Sequence, residues 1–162
     1  MPHLDAAYNL ARWLTGDEHN AGDVVQEAYL RAFKFFGGFR GGDSRSWLLR
    51  IVRNSFYDWL QKNRREESGV AFDEQLETLH DDSAAPDAAL LQKADREVLH
   101  KAISALPLEF REILVMRELE AMSYKEIADI ADVPLGTVMS RLARAREQLR
   151  KDLHNRLNEK SR

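Results

Sequence analysis

One segment, residues 123–146, constrains the fold more than any other part of the chain. It reads SYKEIADIADVPLGTVMSRLARAR, a pattern typical of two short helices joined by a tight turn. Ser123 and Glu126 have the S-x-x-E spacing of a capping box, which satisfies free backbone N–H groups at a helix start. Pro134 suits the first position of a second helix, where its missing N–H costs nothing. Asp132 falls in the turn and tolerates a left-handed backbone better than most residues do.

The second helix of this segment is expected to have one apolar and one polar face. Val138 and Leu142 are predicted to face inward, with Thr137 and the arginines Arg141 and Arg144 facing outward. A helix-turn-helix whose second helix is basic and begins with small residues is suited to the major groove of DNA. The alternative is a plain αα-hairpin with a solvated basic face.

Charge is segregated along the chain, although the net charge is only −3. Residues 40–65 carry seven basic and two acidic side chains, and residues 134–162 carry eight basic and three acidic ones. Between them, residues 66–87 carry eight acidic side chains and no Lys or Arg. Two cationic surfaces with an anionic spacer fit two separate contacts with a polyanion. Chance clustering on solvated helix faces is the alternative.

Composition excludes several classes of protein. The chain has 162 residues, of which 31% are charged and 44% hydrophobic, and it has no Cys, so disulfides and Cys-ligated zinc are excluded. No apolar run approaches the ~20 residues that a membrane helix needs, and no signal-peptide pattern is visible at the N-terminus. We expect a cytoplasmic protein without a metal or cofactor. No metal-spaced cluster, catalytic Ser/His/Asp grouping or phosphate-binding glycine loop is visible in the sequence.

The N-terminal half is predicted to contain three helices. Their apolar periodicity covers about residues 4–14, 20–36 and 44–63. Asn20 is a candidate cap of the second helix, and Phe36 is expected to face inward at its end. No convincing strand pattern appears here or elsewhere in the chain.

An acidic segment, residues 66–87, interrupts the helical periodicity and predicts a flexible linker. Further helical pattern follows it and leads into the helix-turn-helix. The sequence therefore predicts an all-α chain with two small helical domains, residues 1–65 and residues 88–162, joined by this acidic linker.

The third predicted helix has a polar face opposite its apolar row. Arg50, Arg53, Asn54 and Tyr57 are expected to project from this face. Arg and Asn beside aromatic residues are what proteins use to hold an unstacked base and its phosphates. Asn54 is the hardest of the four to explain structurally, because Asn is weakly disfavoured inside helices.

The second predicted helix exposes a strip of acidic, amide and apolar groups. Asp23, Gln26, Glu27 and Leu30 recur at the spacing of one helix face. This strip fits the docking of a partner helix, and an ordinary solvated face fits it equally well.

Three motifs, in this order and spacing, resemble bacterial sigma factors of the extracytoplasmic-function (ECF) group: DVVQEAYLRAF, FRGGDSRSWLLRIVRNSFYDWLQKNRR and YKEIADIADVPLGTVMSRLARAREQL. The likeness covers about residues 5–65 and 88–153. It implies an all-helical subunit of RNA polymerase holoenzyme, with a sigma region 2-like domain followed by a region 4-like domain. Such a subunit binds core polymerase, directs it to particular promoters, aids promoter melting, and has no enzymatic activity of its own. An anti-sigma factor is the other partner that the resemblance implies.

The resemblance also implies three sets of site residues. The clamp helices of the polymerase β′ subunit would be met by Asp23, Gln26 and Glu27. An extruded base of the −10 element would be captured by Phe39, Arg40, Asp43, Ser44, Arg53 and Asn54. The −35 element would be read by Gly136, Thr137, Met139, Ser140, Arg141 and Arg144. Met139 stands where relatives often carry a basic or polar residue, so the preferred −35 sequence stays open.

Two other functions are alternatives to that of a sigma factor. A stand-alone helix-turn-helix regulator would need a sensor or dimerisation domain, and residues 1–65 are few for one and carry their own basic face. A small nuclease would need carboxylates at metal-binding spacing. Asp23 and Glu27, one helical turn apart, imitate such a pair without completing a site.

Overall fold

The structure of the protein is a computed structural model that describes residues 3–38, 41–66 and 88–160. Seven α-helices make up most of the described residues, none of which lies in a β-strand, so the predicted all-α fold is confirmed. In chain order the helices are α1 (Leu4–Thr15), α2 (Glu18–Lys34), α3 (Ser44–Glu66), α4 (Ala88–Ser104), α5 (Leu108–Leu114), α6 (Tyr124–Ala131) and α7 (Leu135–Lys160). The predicted linker begins at Glu66, the last residue of α3, and otherwise lies outside the described residues.

Helices α1, α2 and α3 pack against one another and form the N-terminal domain. Gly16, at a φ of 74°, ends α1, and Asp17 then caps α2 by accepting a 3.1 Å hydrogen bond from the backbone N–H of Asn20. The prediction that Asn20 itself caps this helix was wrong, because the tight turn at Gly16 brings the Asp17 carboxylate to the first free N–H groups. The inward position predicted for Phe36 was also wrong: α2 ends at Lys34 and Phe36 is 67% exposed.

The helix-turn-helix forms as its sequence predicts. The Ser123 hydroxyl accepts from the backbone N–H of Glu126, and the Glu126 carboxylate accepts from the N–H of Ser123, both at 3.1 Å. Asp132 ends α6 with φ 56° and ψ 49°, in the left-handed region. Helix α7 begins at Leu135, so Pro134 is the residue before the helix and not its first residue as predicted; its carbonyl accepts the first hydrogen bonds of α7. Val138, in the first turn of α7, is buried. These local interactions fix the angle between α6 and α7.

A π-helical segment, Val115–Leu119, continues α5 and leads into the helix-turn-helix. The chain then turns at Ala121, which has a φ of 52°, and the side chain of Met122 is fully buried. The backbone N–H of Met122 donates to the carbonyl of Met116 at 3.1 Å, which closes this wide turn.

The two domains pack directly against each other and share a continuous apolar core. Helix α1 contacts α5, and α3 contacts α6. The buried guanidinium of Arg111 donates to the carbonyls of Ser104 and Leu14, the latter in the last turn of α1. A cation in that position satisfies a free carbonyl and complements the helix dipole. At the edge of the interface the rings of Trp13 and His100 lie 4.6 Å apart between centroids.

Two kinds of feature are absent from the described residues. None of the helices within them is long and apolar enough to cross a membrane. Nor do these residues bring together three His, Cys, Asp or Glu side chains in an arrangement suited to a metal ion.

Domain packing is expected to weaken on acidification through His100. Burial, together with the nearby charge of Arg12, lowers the pKa of His100 below its ordinary value, which is about 6.5. The stability that neutral His100 contributes is therefore present above the ordinary pKa and is lost as pH falls through the lowered one. We predict that His100→Phe, which keeps a ring against Trp13, makes the free energy of unfolding less dependent on pH between about pH 7 and 5.

Urea unfolding followed by Trp fluorescence at a series of pH values measures this difference. The matched control is His154→Phe, because His154 is exposed on α7 and its replacement should leave the pH dependence unchanged. Equal pH dependence in the wild type and His100→Phe would contradict the prediction.

Candidate nucleic-acid interface

The solvent side of α7 carries the residues predicted to face DNA. Val138, Leu142 and Ala145 are buried and form the opposite side of the helix. Gly136, Ser140 and Arg144 follow one another at four-residue spacing and are all exposed. Residues four apart lie one above the other on a helix, so these three form a continuous exposed face.

The remaining three predicted α7 residues differ in exposure. Thr137 is half-buried, and its carbonyl accepts a 3.1 Å hydrogen bond from the Ser140 hydroxyl. Arg141 is half-buried, with its Nη2 atom 3.9 Å from Oε2 of Glu109. Met139 is 52% exposed and gives the face an apolar side chain. The face thus combines one exposed cation, one partly paired cation and small or apolar groups.

The strip on α2 is exposed along its length. Asp23, Gln26 and Glu27 all face solvent, and Glu27 pairs with Arg31 on the same helix at 3.2 Å. Arg31 in turn donates to Asp58 of α3 at 2.7 Å. The hydrogen bonds to Asp58 and Glu27 outweigh the effect of burial and raise the pKa of Arg31. This network ties the strip to α3 and so fixes its orientation.

Large apolar side chains continue the α2 strip toward the C-terminal end of the helix. Leu30 and Phe33 are 61% and 76% exposed, and Phe35 and Phe36 follow them in the chain. Exposed apolar groups in one place, beside acidic and amide groups, are typical of a surface that binds another protein.

A cavity of about 480 Å³ opens between the end of α2 and the start of α3. Its aromatic lining includes Phe33, Phe36 and Trp47. At its rim the His3 Nε2 atom and the Ser44 hydroxyl are 2.9 Å apart. The sequence did not reveal this cavity, because Phe36 was predicted to face inward and the structure leaves it exposed at the cavity.

The residues predicted to capture the −10 element separate into different environments. Phe39 and Arg40 lie outside the described residues. The Asp43 carboxylate accepts from the backbone N–H of Arg45 and from the Ser46 hydroxyl at the start of α3, and these bonds, led by that of Ser46, hold the pKa of Asp43 below its ordinary value. Asp43 therefore has a clear structural role in capping α3.

Asn54 is exposed, as the sequence predicts, and lies one turn after the exposed Arg50 on α3. Ser44 lies ten residues earlier on the same helix, a separation of about 15 Å at the standard rise. The structure therefore does not bring Ser44 and Asn54 together directly. Ser44 lies at the start of α3, beside the cavity, and Asn54 lies near the middle of the helix.

Arg53 was predicted to project from the polar face of α3, and the structure contradicts this prediction. Its side chain is only 16% exposed, and its Nε and Nη2 atoms donate to the two carboxylate oxygens of Glu112, at 2.9 and 3.1 Å. Glu112 is on α5, in the other domain, and its side chain is 1% exposed. The prediction failed because periodicity within α3 distinguishes apolar from polar faces and does not show that a second domain covers part of the polar face.

Tyr57 is the third member of this group. Its hydroxyl donates to Oε2 of Glu112 at 3.1 Å, and its ring lies under the Arg53 guanidinium at 4.5 Å. Burial and the charge of Glu112 raise the pKa of Tyr57 to about 12. Burial lowers the pKa of Arg53, but the hydrogen bonds and charge of Glu112 together outweigh burial, so this pKa rises above its ordinary value. Glu112 thus holds both neighbours in their protonated states.

Glu112 is a buried interface residue that could not be identified as such before the structure. A signal for it was present, because Arg111 and Glu112 interrupt the apolar run of Phe110–Met116. A helix with apolar residues all round is buried, so a carboxylate within it requires a partner from elsewhere. The apolar segment Phe110–Met116 therefore predicts that the Glu112 carboxylate has a hydrogen-bond partner, but it does not predict that the partners are Arg53 and Tyr57.

A second polar contact between the domains surrounds Glu126. The Ser46 hydroxyl lies 2.9 Å from Oε2 of Glu126 and 2.8 Å from Asp43, so its single proton serves one carboxylate at a time. Arg45 compensates for the surplus negative charge: its guanidinium donates to the carbonyl of Glu120 at 3.2 Å and lies 3.9 Å from Glu126. Both contacts therefore join the start of α3 to the start of the helix-turn-helix.

Two protein families match separate parts of the chain. Residues 1–66 match the family described as Sigma-70 region 2, and residues 96–149 match the family described as Sigma-70, region 4. The chain is 36% identical to the RNA polymerase sigma-H factor of Pseudomonas aeruginosa, over 88% of this chain and 78% of that protein. It is 34% identical to the ECF RNA polymerase sigma factor SigE of Mycolicibacterium smegmatis, over 91% of this chain but only 57% of that longer protein.

A solved structure gives the same result in three dimensions. The sigma factor RpoE of Bartonella quintana, in complex with the anti-sigma factor NepR, is 28% identical and has a TM-score of 0.78, covering 93% of this chain and 91% of that one. Both halves of the chain thus have counterparts in sequence and in structure. The ECF RNA polymerase sigma-E factor of Escherichia coli is 36% identical, over 78% of this chain and 70% of that protein. The chain belongs to the sigma-70 family of RNA polymerase sigma factors, in the ECF group.

Proposed function

We propose that this protein directs RNA polymerase to particular promoters by binding core polymerase and contacting promoter DNA at two places. One observation carries the proposal. This chain of the sigma family has two separate exposed surfaces, the face of α7 formed by Gly136, Ser140 and Arg144 and the polar face of α3. Reading a closed duplex requires an element in the major groove, whereas opening a duplex requires a site for unstacked bases. The two faces meet these different requirements.

The −35 element is assigned to the exposed face of α7. Gly136 and Ser140 allow the helix to approach base edges closely, and Arg144 supplies an exposed cation for a base or a phosphate. Thr137, Met139 and Arg141 complete the set at the sides of this face. The exposed thioether of Met139 favours apolar contact with the groove, such as with a thymine methyl, over a hydrogen bond.

The −10 element is assigned to α3 and the loop before it. Asn54 and Arg50 offer an amide and a cation on an open surface, and the aromatic cavity at the Ser44 end offers stacking partners. Extruding a base costs a few kcal/mol, which stacking of about 1–3 kcal/mol per base can offset. Asp43, Phe39, Arg40 and Arg53 belong to the same proposed surface.

Core polymerase is assigned to the strip on α2. Asp23, Gln26 and Glu27 supply polar contacts, and Leu30 with Phe33 supplies the apolar anchor that a helix of the β′ clamp would cover. An anti-sigma factor, by analogy with the RpoE–NepR complex, would compete for such surfaces. In this proposal the protein works in the cytoplasm, with polymerase, and has no catalytic activity of its own.

Reconstitution with core RNA polymerase tests the proposal directly. In vitro transcription over a promoter library should yield initiation from a defined promoter class only when the protein is added to core enzyme. Asp23 and Glu27 replaced together by Ala should reduce this activity and the affinity for core enzyme. Tight, sequence-specific binding of promoter duplexes without polymerase, together with no stimulation of core enzyme, would instead favour a stand-alone regulator.

Replacing Arg144 by Ala should weaken binding of the holoenzyme to the −35 element by about 1–3 kcal/mol, because an exposed arginine on the recognition face is lost. Electrophoretic mobility shifts at fixed salt, using promoters with intact and scrambled −35 elements, measure the effect. Arg150→Ala is the matched control, since Arg150 is exposed further along α7 and pairs with Glu147 on the same helix. Equal losses for the two variants would remove Arg144 from the interface.

Replacing Asn54 by Ala should impair promoter opening more than formation of the closed complex. Ala is a better helix former than Asn by up to about 0.7 kcal/mol, so the variant should fold at least as well as the wild type. Permanganate footprinting measures opening, and mobility shifts at low temperature measure the closed complex. Asn63→Ala, the same change later in α3, should leave both unchanged, and an equal loss of both steps in Asn54→Ala would argue against a role in melting.

A further inference from the structure

Three apolar side chains follow one another along the exposed side of α7. Leu135, Met139 and Ala143 recur at four-residue spacing, so they lie one above the other on the helix. Leu135 is 49% exposed, Met139 is 52% exposed, and Ala143 is also exposed. These three residues form what we call the apolar stripe of α7. None of them carries a charge or a strong hydrogen-bonding group in its side chain.

The apolar stripe borders the face formed by Gly136, Ser140 and Arg144. Each residue of the stripe directly precedes one residue of that face, and consecutive residues lie about 100° apart around a helix. Stripe and face therefore form one continuous surface that a single DNA groove can cover. The core of the domain does not account for the stripe, because Val138 and Leu142 form the buried side of α7.

A cation at the C-terminal end of the stripe is engaged within the protein. Arg146 follows Ala143 by three residues and so lies on the same side of the helix. Its Nε and Nη2 atoms donate to Oε1 of Glu118, at 3.0 and 2.6 Å. Because this guanidinium is held by Glu118, the contact that the stripe offers to DNA is apolar in character.

An apolar side chain can distinguish one base in the major groove. Thymine presents its C5 methyl group there, whereas the other bases present hydrogen-bond donors and acceptors. A thioether accepts hydrogen bonds only weakly, so Met139 gains little from those polar edges. Phosphates are bound chiefly by cations, which the stripe does not supply. Its chemistry therefore favours a thymine methyl group as the group that it covers.

We propose that Met139 is a specificity-determining residue, which selects a thymine in the −35 element by packing against its C5 methyl group. Leu135 and Ala143, one helical turn away on either side, keep water from this contact. The selection rests on the proposed −35 function of α7 and adds to it the base and the chemical group that are recognised. Burial of one methyl-sized apolar group corresponds to about fourfold in affinity.

Promoters that differ by one methyl group test this selection. Holoenzyme assembled from core polymerase and this protein should select a T·A pair at a fixed position from a library with a randomised −35 element. Deoxyuridine then replaces each −35 thymine in turn, which removes the methyl group and keeps base pairing and the O4 acceptor. At the position that Met139 reads, this change should weaken binding by about fourfold at fixed salt.

Met139→Gln should abolish the response to the methyl group, because an amide of similar length replaces the apolar side chain. This variant should bind the thymine and deoxyuridine promoters equally, whereas Met139→Leu should keep most of the difference. Both variants should fold, since Met139 is half-exposed, and thermal melts followed by circular dichroism check this. Leu99→Gln is the matched control, the same kind of change at a 40% exposed residue of α4, and should keep the full difference.

Equal binding of the wild type to the thymine and deoxyuridine promoters at every −35 position would overturn the selection, as would a selected −35 element without a fixed thymine. A difference that persists unchanged in Met139→Gln would assign the methyl contact to another residue and overturn the role of Met139. Equal binding to intact and scrambled −35 elements would overturn the proposed −35 function itself and this selection with it. That outcome is distinct, because the scrambled promoter reports on the whole surface of α7 and deoxyuridine on one methyl group.

Discussion

The buried Glu112 carboxylate determines how the two halves of this chain meet. Apolar surfaces tolerate small shifts, but a buried anion requires its donors at hydrogen-bond distance. Arg53 and Tyr57 meet that requirement within 3.1 Å, from a helix of the other domain. The shared apolar core supplies most of the driving force for packing, and the ion pair selects one register of α3 on α5 from among those that the apolar contacts would allow.

That register has consequences for each proposed surface. The exposed face of α7 and the strip on α2 stay open to solvent, whereas Arg53 is covered. Glu126 links these regions, because one of its oxygens caps α6 and the other meets Ser46 of α3. The element that starts the helix-turn-helix is therefore also part of the contact that covers α3. This arrangement couples the exposure of Arg53 on α3 to the position of the C-terminal domain.

Local sequence signals predicted local structure well. The capping box at Ser123, the left-handed turn at Asp132 and the apolar side of α7 all form as expected, because each depends on residues within one or two turns. The cap of α2 was misplaced at Asn20 because Asp17 and Asn20 are both good capping residues. Only the turn at Gly16 decides between them, since it sets the direction from which the chain enters the helix.

The sequence by itself determined the all-α fold, the helix-turn-helix, the division of charge and the sigma-family motifs, because these follow from periodicity, capping and spacing along one chain. The tertiary structure decided which polar faces stay exposed. Arg53 and Asn54 are adjacent in the sequence and share one predicted face, yet Arg53 is paired under α5 and Asn54 faces solvent. The reason is that Arg53 and Tyr57 both contact Glu112, which follows them by 59 and 55 positions in the sequence. The periodicity of a single helix contains no information about contacts between residues so far apart in the chain.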